Sequence, residues 1–174
     1  MKPAIFDYYR AETLDHASEL LSRYGDDAKI LAGGQSLIAA MNYRLARPAV
    51  LIDVGGIEKK NEISFEGDQV RVKATTTQRI TEKNETVVKE LPMLVAAIEN
   101  IAHYQIRNRG TVGGSIVNAD PASELPAMTL ILDAELEVKN LSGRRTIPAD
   151  EFFITYMTTS MEADEVLMSI LFKT

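Results

Sequence analysis

The 174-residue chain contains no cysteine and no tryptophan, and it has only two histidines, His16 and His103. Without cysteine, the chain itself can form no disulfide, no thiol nucleophile and no cysteine-ligated iron–sulfur cluster. The histidines lie in helix-like segments without a ligand-spaced partner, and neither pairs with a candidate nucleophile. Neither a transition-metal site nor a Ser–His–Asp arrangement is therefore predicted, and chemistry either needs a bound organic cofactor or does not take place in this chain.

Long apolar runs and a surplus of positive charge are also missing. The longest apolar run, Met93 to Ile98, is far too short to span a bilayer, and Met1 to Arg10 lacks the features of a signal peptide. The net charge of −6 argues against nucleic acid or an anionic membrane as a partner. With 45% hydrophobic and 25% charged residues, the composition is that of a soluble globular protein. We expect a cytoplasmic protein with no membrane insertion.

Hydrophobic periodicity and turn residues predict an α+β protein with one domain over residues 1–174. A first α/β lobe (1–56) has the order βαβαβ, and a second, mixed α+β lobe (57–174) follows. The predicted elements are strand 3–10, helix 14–24 between Thr13 and Gly25, strand 29–32, helix 37–44, strand 49–54, a charged connector at 57–63, a hairpin of 63–65 with 69–74, helices 81–90 and 91–103, a glycine-rich loop at 106–115, helix 122–132 begun by Asp120-Pro121, a hairpin of 135–140 with 144–147, and strand 165–172.

Gly33-Gly34 separates a predicted strand from a predicted helix in the stretch AGGQS. Glycine permits positive φ and close approach of a ligand, and successive exposed N–H groups form an anion-binding concavity. Ser36 can donate to a ligand oxygen or cap the following helix, so a plain strand-to-helix turn is the alternative. The spacing fits neither the Walker loop nor the G-x-G-x-x-G dinucleotide fingerprint.

A second glycine-rich stretch, RNRGTVGGS, adds positive charge to backbone freedom, because no acid lies between Glu99 and Asp120. It contains two arginines, three glycines and two hydroxyls, namely Arg107, Arg109, Gly110, Thr111, Gly113, Gly114 and Ser115. These groups suit a polyphosphate or another anionic ligand. The alternative is a surface loop whose arginines pair with neighbouring acids.

Two nearby polar features have a structural and a functional interpretation each. Asp120 can cap a helix, or its carboxylate can accept a hydrogen bond from a ribose hydroxyl. The run Thr75-Thr76-Thr77 can reflect β-propensity alone, or one hydroxyl can point into the same cleft.

The two glycine-rich stretches together carry a resemblance. LAGGQSLIAAMNYRLARPAVLIDVGGI and IRNRGTVGGSIVNADPASELPA closely resemble the flavin subunit of the molybdenum hydroxylases, a family that includes the medium chain of carbon monoxide dehydrogenase and the FAD subunits of xanthine dehydrogenase and aldehyde oxidoreductases. VKATTTQRI, LPMLVAAIENIA and PADEFFITYMTTSMEADEVLMSI extend the resemblance over nearly the whole chain. It implies an FAD-binding fold of the p-cresol methylhydroxylase type, with two lobes that hold an extended FAD between them.

The resemblance also implies the FAD-binding residues, and it implies no catalytic or metal-binding residue. The first phosphate loop would comprise Ala32, Gly33, Gly34, Gln35, Ser36 and Leu37. The second would comprise Arg109, Gly110, Thr111, Gly113 and Gly114. Thr76 matches a family threonine after the hairpin. The segment near the adenosine ribose is matched by Asn118, Asp120 and Pro121. Leu167 lies on the flavin side. Valine at Gly33 or Gly113 is then expected to abolish FAD retention and leave the fold largely intact.

The implied function is electron transfer within an oxidoreductase complex. A molybdopterin-binding large subunit would oxidise the substrate, a [2Fe–2S] small subunit would relay electrons, and FAD in this chain would pass them to an external acceptor. Two features depart from the family. Lys73-Ala74 stands where Gly-Ala is frequent, and the sequence ends at Thr174, without the family's C-terminal domain that helps to cover the isoalloxazine ring.

Other functions use the same loops. One alternative is a non-redox nucleotide- or phosphate-binding module, or an assembly module with the same fold. Another is a stand-alone flavoenzyme of the enolpyruvyl-glucosamine reductase type, which the wording RNRGTVGG disfavours.

Overall fold

The computed structural model describes residues 1–57 and 63–174. Its first part, which we call the parallel unit, is a three-stranded parallel sheet with the strand order β1-β3-β2. Its elements are β1 (Asp7–Arg10), α1 (Leu14–Tyr24), β2 (Ala28–Leu31), α2 (Leu37–Asn42) and β3 (Val50–Asp53). The predicted βαβαβ order is confirmed, although the first strand begins later than predicted. Because the strands are parallel, their carboxyl ends meet at one edge of the sheet, where the Gly33-Gly34 turn leaves β2.

Helix α1 forms where the sequence carries both a start and a stop signal. The Thr13 hydroxyl accepts a hydrogen bond from the His16 N–H at 3.0 Å, and Gly25, with φ of 53°, ends the helix before a short 3₁₀ turn. Leu20 and Leu21 lie buried on its inner face. The predicted boundaries of this helix are confirmed.

The second part, which we call the antiparallel unit, is built on a five-stranded antiparallel sheet with the order β4-β5-β10-β6-β7. The elements are β4 (Ile63–Glu66), β5 (Gln69–Lys73), α3 (Gln78–Lys83), α4 (Glu85–Glu90), α5 (Pro92–Asn100), α6 (Tyr104–Arg107), α7 (Val112–Asn118), α8 (Glu124–Ile131), β6 (Glu135–Asn140), β7 (Gly143–Pro148), α9 (Ala149–Phe152), β8 (Phe153–Thr155), β9 (Thr158–Thr159) and β10 (Val166–Lys173). Both predicted hairpins are confirmed. Helix α9 and the small β8-β9 hairpin were not predicted.

Each unit has its own apolar core, and strand β10 contributes to both. The larger core lies between the five-stranded sheet and its helices, and includes Val72, Leu94 and Phe172. The core of the parallel unit includes Ile52 and also Val166, the first residue of β10. The two units are therefore joined by shared packing.

Helix α1 makes a second connection between the units because it packs against β6 and β10. Lys139 Nζ on β6 lies 2.6 Å from Asp15 Oδ1 on α1, and Ser18 Oγ donates to the Lys139 carbonyl at 3.5 Å. Ser18 itself is fully buried. In the described residues no helix combines the length and the apolarity needed to cross a bilayer.

Several predicted helix boundaries are wrong. Instead of one helix over 81–90 there are two, α3 and α4, because the Asn84 side chain accepts from the Val87 N–H at 3.2 Å and starts a new helix. Instead of one helix over 91–103, α5 ends at Asn100, and Ala102 takes a positive φ of 41°. The predicted connector at 57–63 lies largely outside the described residues.

The predicted loop at 106–115 and the predicted start of the next helix are also wrong. The glycine-rich stretch is mostly helical, with α6 before Gly110 and α7 after Thr111. Asp120 caps no helix: its Oδ1 accepts from the Ala122 N–H at 2.9 Å in a local turn, and Ser123 is the residue that precedes α8.

Candidate functional site

A cleft of about 570 Å³ lies between the two units. One wall is the turn after β2, the opposite wall is the start of α7 with the end of β5, and the third is the segment from Met157 to Leu167. Its volume is in the range of small-molecule sites, roughly 300–1,000 Å³.

The wall after β2 presents main-chain N–H groups. In the part of the chain that the structure describes, the N–H groups of Gly33, Gly34, Gln35 and Ser36 donate to no protein acceptor. Gly34 takes a φ of 72°, a conformation that side-chain-bearing residues rarely adopt. The side-chain amide of Gln35 donates back to the Gly33 carbonyl at 3.0 Å. Ser36 precedes α2, but its hydroxyl makes no capping bond. The turn therefore has free donors for an anionic ligand.

The opposite wall is held by hydrogen bonds at the start of α7. The Thr111 hydroxyl accepts from the Gly114 N–H at 3.1 Å and caps the helix. The Gly113 N–H donates to the Ala74 carbonyl at 2.9 Å. A Cβ on Gly113 would lie 2.5 Å from the Ala74 Cβ, so this glycine lets α7 pack directly on the turn after β5.

The two walls meet at Gly33. A Cβ on Gly33 would lie 2.4 Å from the Arg109 carbonyl oxygen and 2.8 Å from the Gly110 Cα, both main-chain atoms of the antiparallel unit. Gly33 therefore permits contact between two parts of the protein. The expectation that valine at Gly33 or Gly113 leaves the fold largely intact is contradicted by these distances, because each side chain would overlap fixed neighbours.

The third wall combines apolar side chains with an anchored carboxylate. Leu167 is 6% exposed, and Met157, Thr159 and Met161 line the cleft beside it. Glu165 accepts two hydrogen bonds from Arg145, at 2.7 and 2.8 Å, and one from the Glu162 N–H at 2.7 Å. Burial raises the pKa of the Glu165 carboxyl, but these hydrogen bonds outweigh it and leave the pKa below its ordinary value. The carboxylate thus fixes this wall.

Most of the residues implied by the resemblance lie in this cleft. Those that line it are Ala32, Gly33, Gly34, Gln35, Ser36, Leu37, Gly110, Thr111, Gly113, Gly114, Asn118 and Leu167. Arg109 lines a neighbouring cleft of about 740 Å³ on the other side of the turn, together with Arg10 and Asp53. Asp120 lines neither cleft.

The three threonines after β5 have different surroundings. Thr75 lines the cleft, whereas Thr76 is fully buried and its hydroxyl oxygen has no partner within the described residues. The Thr77 hydroxyl accepts from the Ile80 N–H at 3.3 Å and caps α3. Of the three hydroxyl-bearing residues, Thr75 is the one at the cleft.

Sequence reasoning missed several lining residues, including Gln78 on α3 and Ser123 before α8. The Gln78 side chain is buried, and its Oε1 has no hydrogen-bond partner within the described residues. Its position directly after the threonine run could have indicated that it lies near the cleft. For Met157 and Met161, no periodicity pointed to the cleft.

The two arginines of RNRG have different roles. Arg107 Nε lies 2.9 Å from Glu82 Oε2, and its Nη1 donates to the Ile101 carbonyl at 2.9 Å. Arg107 is thus paired with an acid, which is the alternative reading of this stretch. Among the described residues Arg109 forms no ion pair. In the same residues no three His, Cys, Asp or Glu side chains are grouped to hold a metal ion.

The lining suits a ligand that has both an anionic part and apolar parts. Free N–H donors at 33–36 and the Thr111 hydroxyl line the cleft together with apolar side chains such as Ile101 and Leu167. Uncharged donors of this kind fit a diphosphate, and apolar side chains fit flat rings. The donor set therefore fits a dinucleotide such as FAD.

Comparison with known proteins gives the same class of ligand. The family model described as FAD binding domain in molybdopterin dehydrogenase matches residues 4–172. The chain is 40% identical over 170 residues to the 6-hydroxypseudooxynicotine dehydrogenase complex subunit alpha of Paenarthrobacter nicotinovorans, which covers 98% of this chain and 57% of that relative. It is also 40% identical over 171 residues to the carbon monoxide dehydrogenase medium chain of Hydrogenophaga pseudoflava, with coverage of 98% and 59%.

A solved structure agrees with this fold. Carbon monoxide dehydrogenase from Hydrogenophaga pseudoflava, in a form that lacks the Mo-pyranopterin moiety of the molybdenum cofactor, superimposes with a TM-score of 0.96 at 38% identity. The match covers 99% of this chain and 60% of that chain, so the present chain spans about three fifths of the length of these relatives. The α+β architecture is shared with that structure. The chain belongs to the family of FAD-binding domains of the molybdopterin dehydrogenases.

Proposed function

We propose that this chain binds FAD in the cleft between its two units and serves as the flavin-bearing part of a molybdenum hydroxylase. The observation that carries the proposal is the run of four main-chain N–H groups, Gly33 to Ser36, without protein acceptors on the wall of the cleft. Gly33, Gly34 and Gln35 are half-buried and Ser36 is exposed, so these donors are open to a ligand in the cleft, and a diphosphate would satisfy them.

The roles of the side chains follow from their places around these donors. The Thr111 hydroxyl, whose oxygen accepts from the Gly114 N–H, lies on the opposite wall and would donate its proton to the same diphosphate. Asn118 would meet the adenosine ribose, with Asp120 close to it in sequence. Leu167 would pack against a ring. Thr76, buried behind Thr75, would support the wall, and Arg109 would contribute positive charge from the neighbouring cleft.

At the level of fold, we propose the p-cresol methylhydroxylase type for residues 1–174. The first lobe would cover 1–56 and the second 57–174. The two sheets, the cleft between them and the carboxyl-end position of the Gly33-Gly34 turn support this assignment.

As part of a complex, the chain would work with a molybdopterin-binding large subunit and a [2Fe–2S] small subunit. Bound FAD would collect electrons from the iron–sulfur cluster and deliver them to an external acceptor. The names of the relatives, a dehydrogenase complex subunit and a medium chain, support this role. Because these 174 residues contain no cysteine, the cysteine ligands of the cluster would lie outside them.

The test uses Ser36, which is exposed in the cleft and makes no side-chain bond that a substitution would break. The wild-type protein should bind FAD, show a yellow visible spectrum, and gain about 2.7 kcal/mol in unfolding free energy at a FAD concentration 100 times the Kd. Ser36→Glu adds a negative charge beside the diphosphate and should raise the Kd about tenfold or more.

Ser36→Gln is the matched control, because it has nearly the same size without the charge. Its FAD affinity should stay close to that of the wild type. A colourless wild-type protein whose melting temperature does not change with millimolar FAD would refute the proposed function. Equal Kd values for the Glu and Gln variants would refute the position of the diphosphate.

A further inference from the structure

Glu82, on α3 and outside the cleft, is a buried carboxylate between two guanidinium groups. Its side chain is 1% exposed. Arg79, one helical turn earlier, donates from Nη1 to Glu82 Oε1, and Arg107 Nε lies 2.9 Å from Oε2. A buried carboxylate needs such compensation, so the site depends on both arginines.

The contact between Glu82 and Arg107 is electrostatic. The 2.9 Å separation is short, but Arg107 Nε and Glu82 Oε2 do not meet in hydrogen-bonding geometry, and neither atom has another hydrogen-bond partner within the described residues. Arg107 is 13% exposed and directs Nη1 to the Ile101 carbonyl at 2.9 Å. Glu82 therefore balances a largely buried charge at the end of α6.

The amino end of α3 contacts the far end of the turn that runs from Arg107 to Thr111. The Gln78 N–H donates to the Gly110 carbonyl at 2.8 Å, and Thr77 forms an isolated β-bridge with Thr111. The turn from Arg107 to Thr111 is thus attached to α3 at both ends, through a charge pair at one end and main-chain bonds at the other. Its middle, the Arg109 carbonyl, is the point of contact with Gly33.

We propose that Glu82 is a positioning residue for the cleft: its charge holds Arg107, and thereby the 107–111 turn, at the distance from Gly33 that lets both walls reach one diphosphate. This inference rests on the proposed function and extends it to a residue that touches no ligand. Arg79 stacks on the Tyr104 ring at 4.5 Å and fixes the carboxylate from the other side.

The experiment measures FAD affinity of Glu82→Gln at a temperature at which the variant is fully folded. Glutamine keeps the size and removes the charge, so Arg107 loses its counter-charge, and the Kd should rise about tenfold. The matched control is Glu137→Gln on the sheet, which removes the charge from a carboxylate that accepts hydrogen bonds from Arg71 and Ser169 away from the cleft. Glu137→Gln should lower the melting temperature and leave the Kd unchanged.

A second variant, Arg107→Gln, removes the other half of the pair while Arg79 still compensates Glu82, so it serves as the test where Glu82→Gln fails to fold. It should weaken FAD binding by a similar factor. The double variant should lose no more affinity than Glu82→Gln alone, because both substitutions act on one contact. Folded single variants with wild-type affinity, or losses that add in the double variant, would overturn the inference. A wild-type protein that binds no FAD would instead refute the proposed function.

Discussion

Gly33 carries no side chain at a point of close approach between the parallel and antiparallel units. A Cβ there would lie 2.4 Å from the Arg109 carbonyl oxygen, and a Cβ on Gly113 would lie 2.5 Å from the Ala74 Cβ. The sequence drew attention to both glycines as ligand contacts. In the structure each glycine is also required for close packing. A bulky residue at either position therefore affects folding and binding together. Ser36→Glu separates the two effects.

Gly33→Ala should lower the free energy of unfolding by about 1–3 kcal/mol, because the added methyl overlaps main-chain atoms that cannot rotate away. It should also weaken FAD binding by moving the two walls apart. Gly55→Ala is the control: that residue is exposed, and among the described residues its Cβ would meet only the Asp53 carboxylate, at 3.1 Å. Urea denaturation of both variants checks the difference. Equal stabilities would contradict the contact at Gly33.

Glu165→Gln should change how stability depends on pH. The folded-state pKa of Glu165 lies below the unfolded value of about 4.3, so its ionised form stabilises the fold above that pH. This contribution is lost as the pH falls through the folded-state pKa. At neutral pH the variant should lose about 1.5–3 kcal/mol, and between about pH 5 and pH 3 its stability should fall less steeply than that of the wild type.

Melting temperatures measured across that pH range test the Glu165 prediction. Glu151→Gln, at an exposed position, is the control and should stay near the wild type. Parallel pH profiles for Glu165→Gln and the wild type would show that the Arg145 contact does not stabilise the ionised form.

At the scale of the element, α7 is the helix that determines the second wall. Its seven residues include Gly113 and Gly114, which have low helix propensity. Three interactions compensate: the Thr111 cap, the Gly113 bond to the Ala74 carbonyl, and the buried side chains of Val112 and Ile116. The helix therefore depends on its neighbours more than on its own sequence.

Thr111→Ala should destabilise the protein by about 1 kcal/mol through loss of the cap and should also weaken FAD binding, because α7 begins at the cleft. Thr111→Ser keeps the hydroxyl and should restore both properties. Asn84→Ala removes the equivalent cap of α4, which lies outside the cleft, and should lower stability alone. Equal FAD affinity in Thr111→Ala and Asn84→Ala would contradict the role of the α7 cap.

This dependence explains which elements the sequence could predict. Helix α1 carries its cap, apolar stripe and terminal glycine locally, and both hairpins have clear turn residues, so these predictions are correct. For α7 the glycines of the sequence indicate a loop, whereas the Thr111 cap and the packing on the end of β5 make it helical. For the site, the clusters of glycine and hydroxyl-bearing residues in the sequence indicated where the ligand loops lie. Gln78 and Met161 reach the cleft only through the tertiary arrangement.

At the scale of the whole molecule, the two units share packing. Helix α1 belongs to the parallel unit and packs on β6 and β10, and Val166 of β10 completes the core of the parallel unit. The Asp15–Lys139 pair spans the same boundary. The cleft lies between units that this packing joins, and Leu14 and Leu21 of α1 line it, so its width is set by the packing of α1 as well as by the loops.

The chain should therefore unfold in one cooperative transition. Four of the six tyrosines, Tyr8, Tyr9, Tyr24 and Tyr43, lie in the parallel unit, so near-ultraviolet circular dichroism reports chiefly on it. Far-ultraviolet circular dichroism reports on both units, and the two melting curves should coincide. Val166→Ala should shift both curves together, with a loss of about 1–3 kcal/mol. Separate midpoints would show that the units unfold independently.

The position of β10 in the chain also bears on how the protein is made. This strand is the central partner in the five-stranded sheet, and it pairs with β5, whose residues are translated about a hundred positions earlier. Until residues 166–173 leave the ribosome, β5 and β6 have no strand between them and the parallel unit lacks Val166. Neither core can close before then, so up to that point the nascent chain exposes two incomplete apolar surfaces, which favour aggregation.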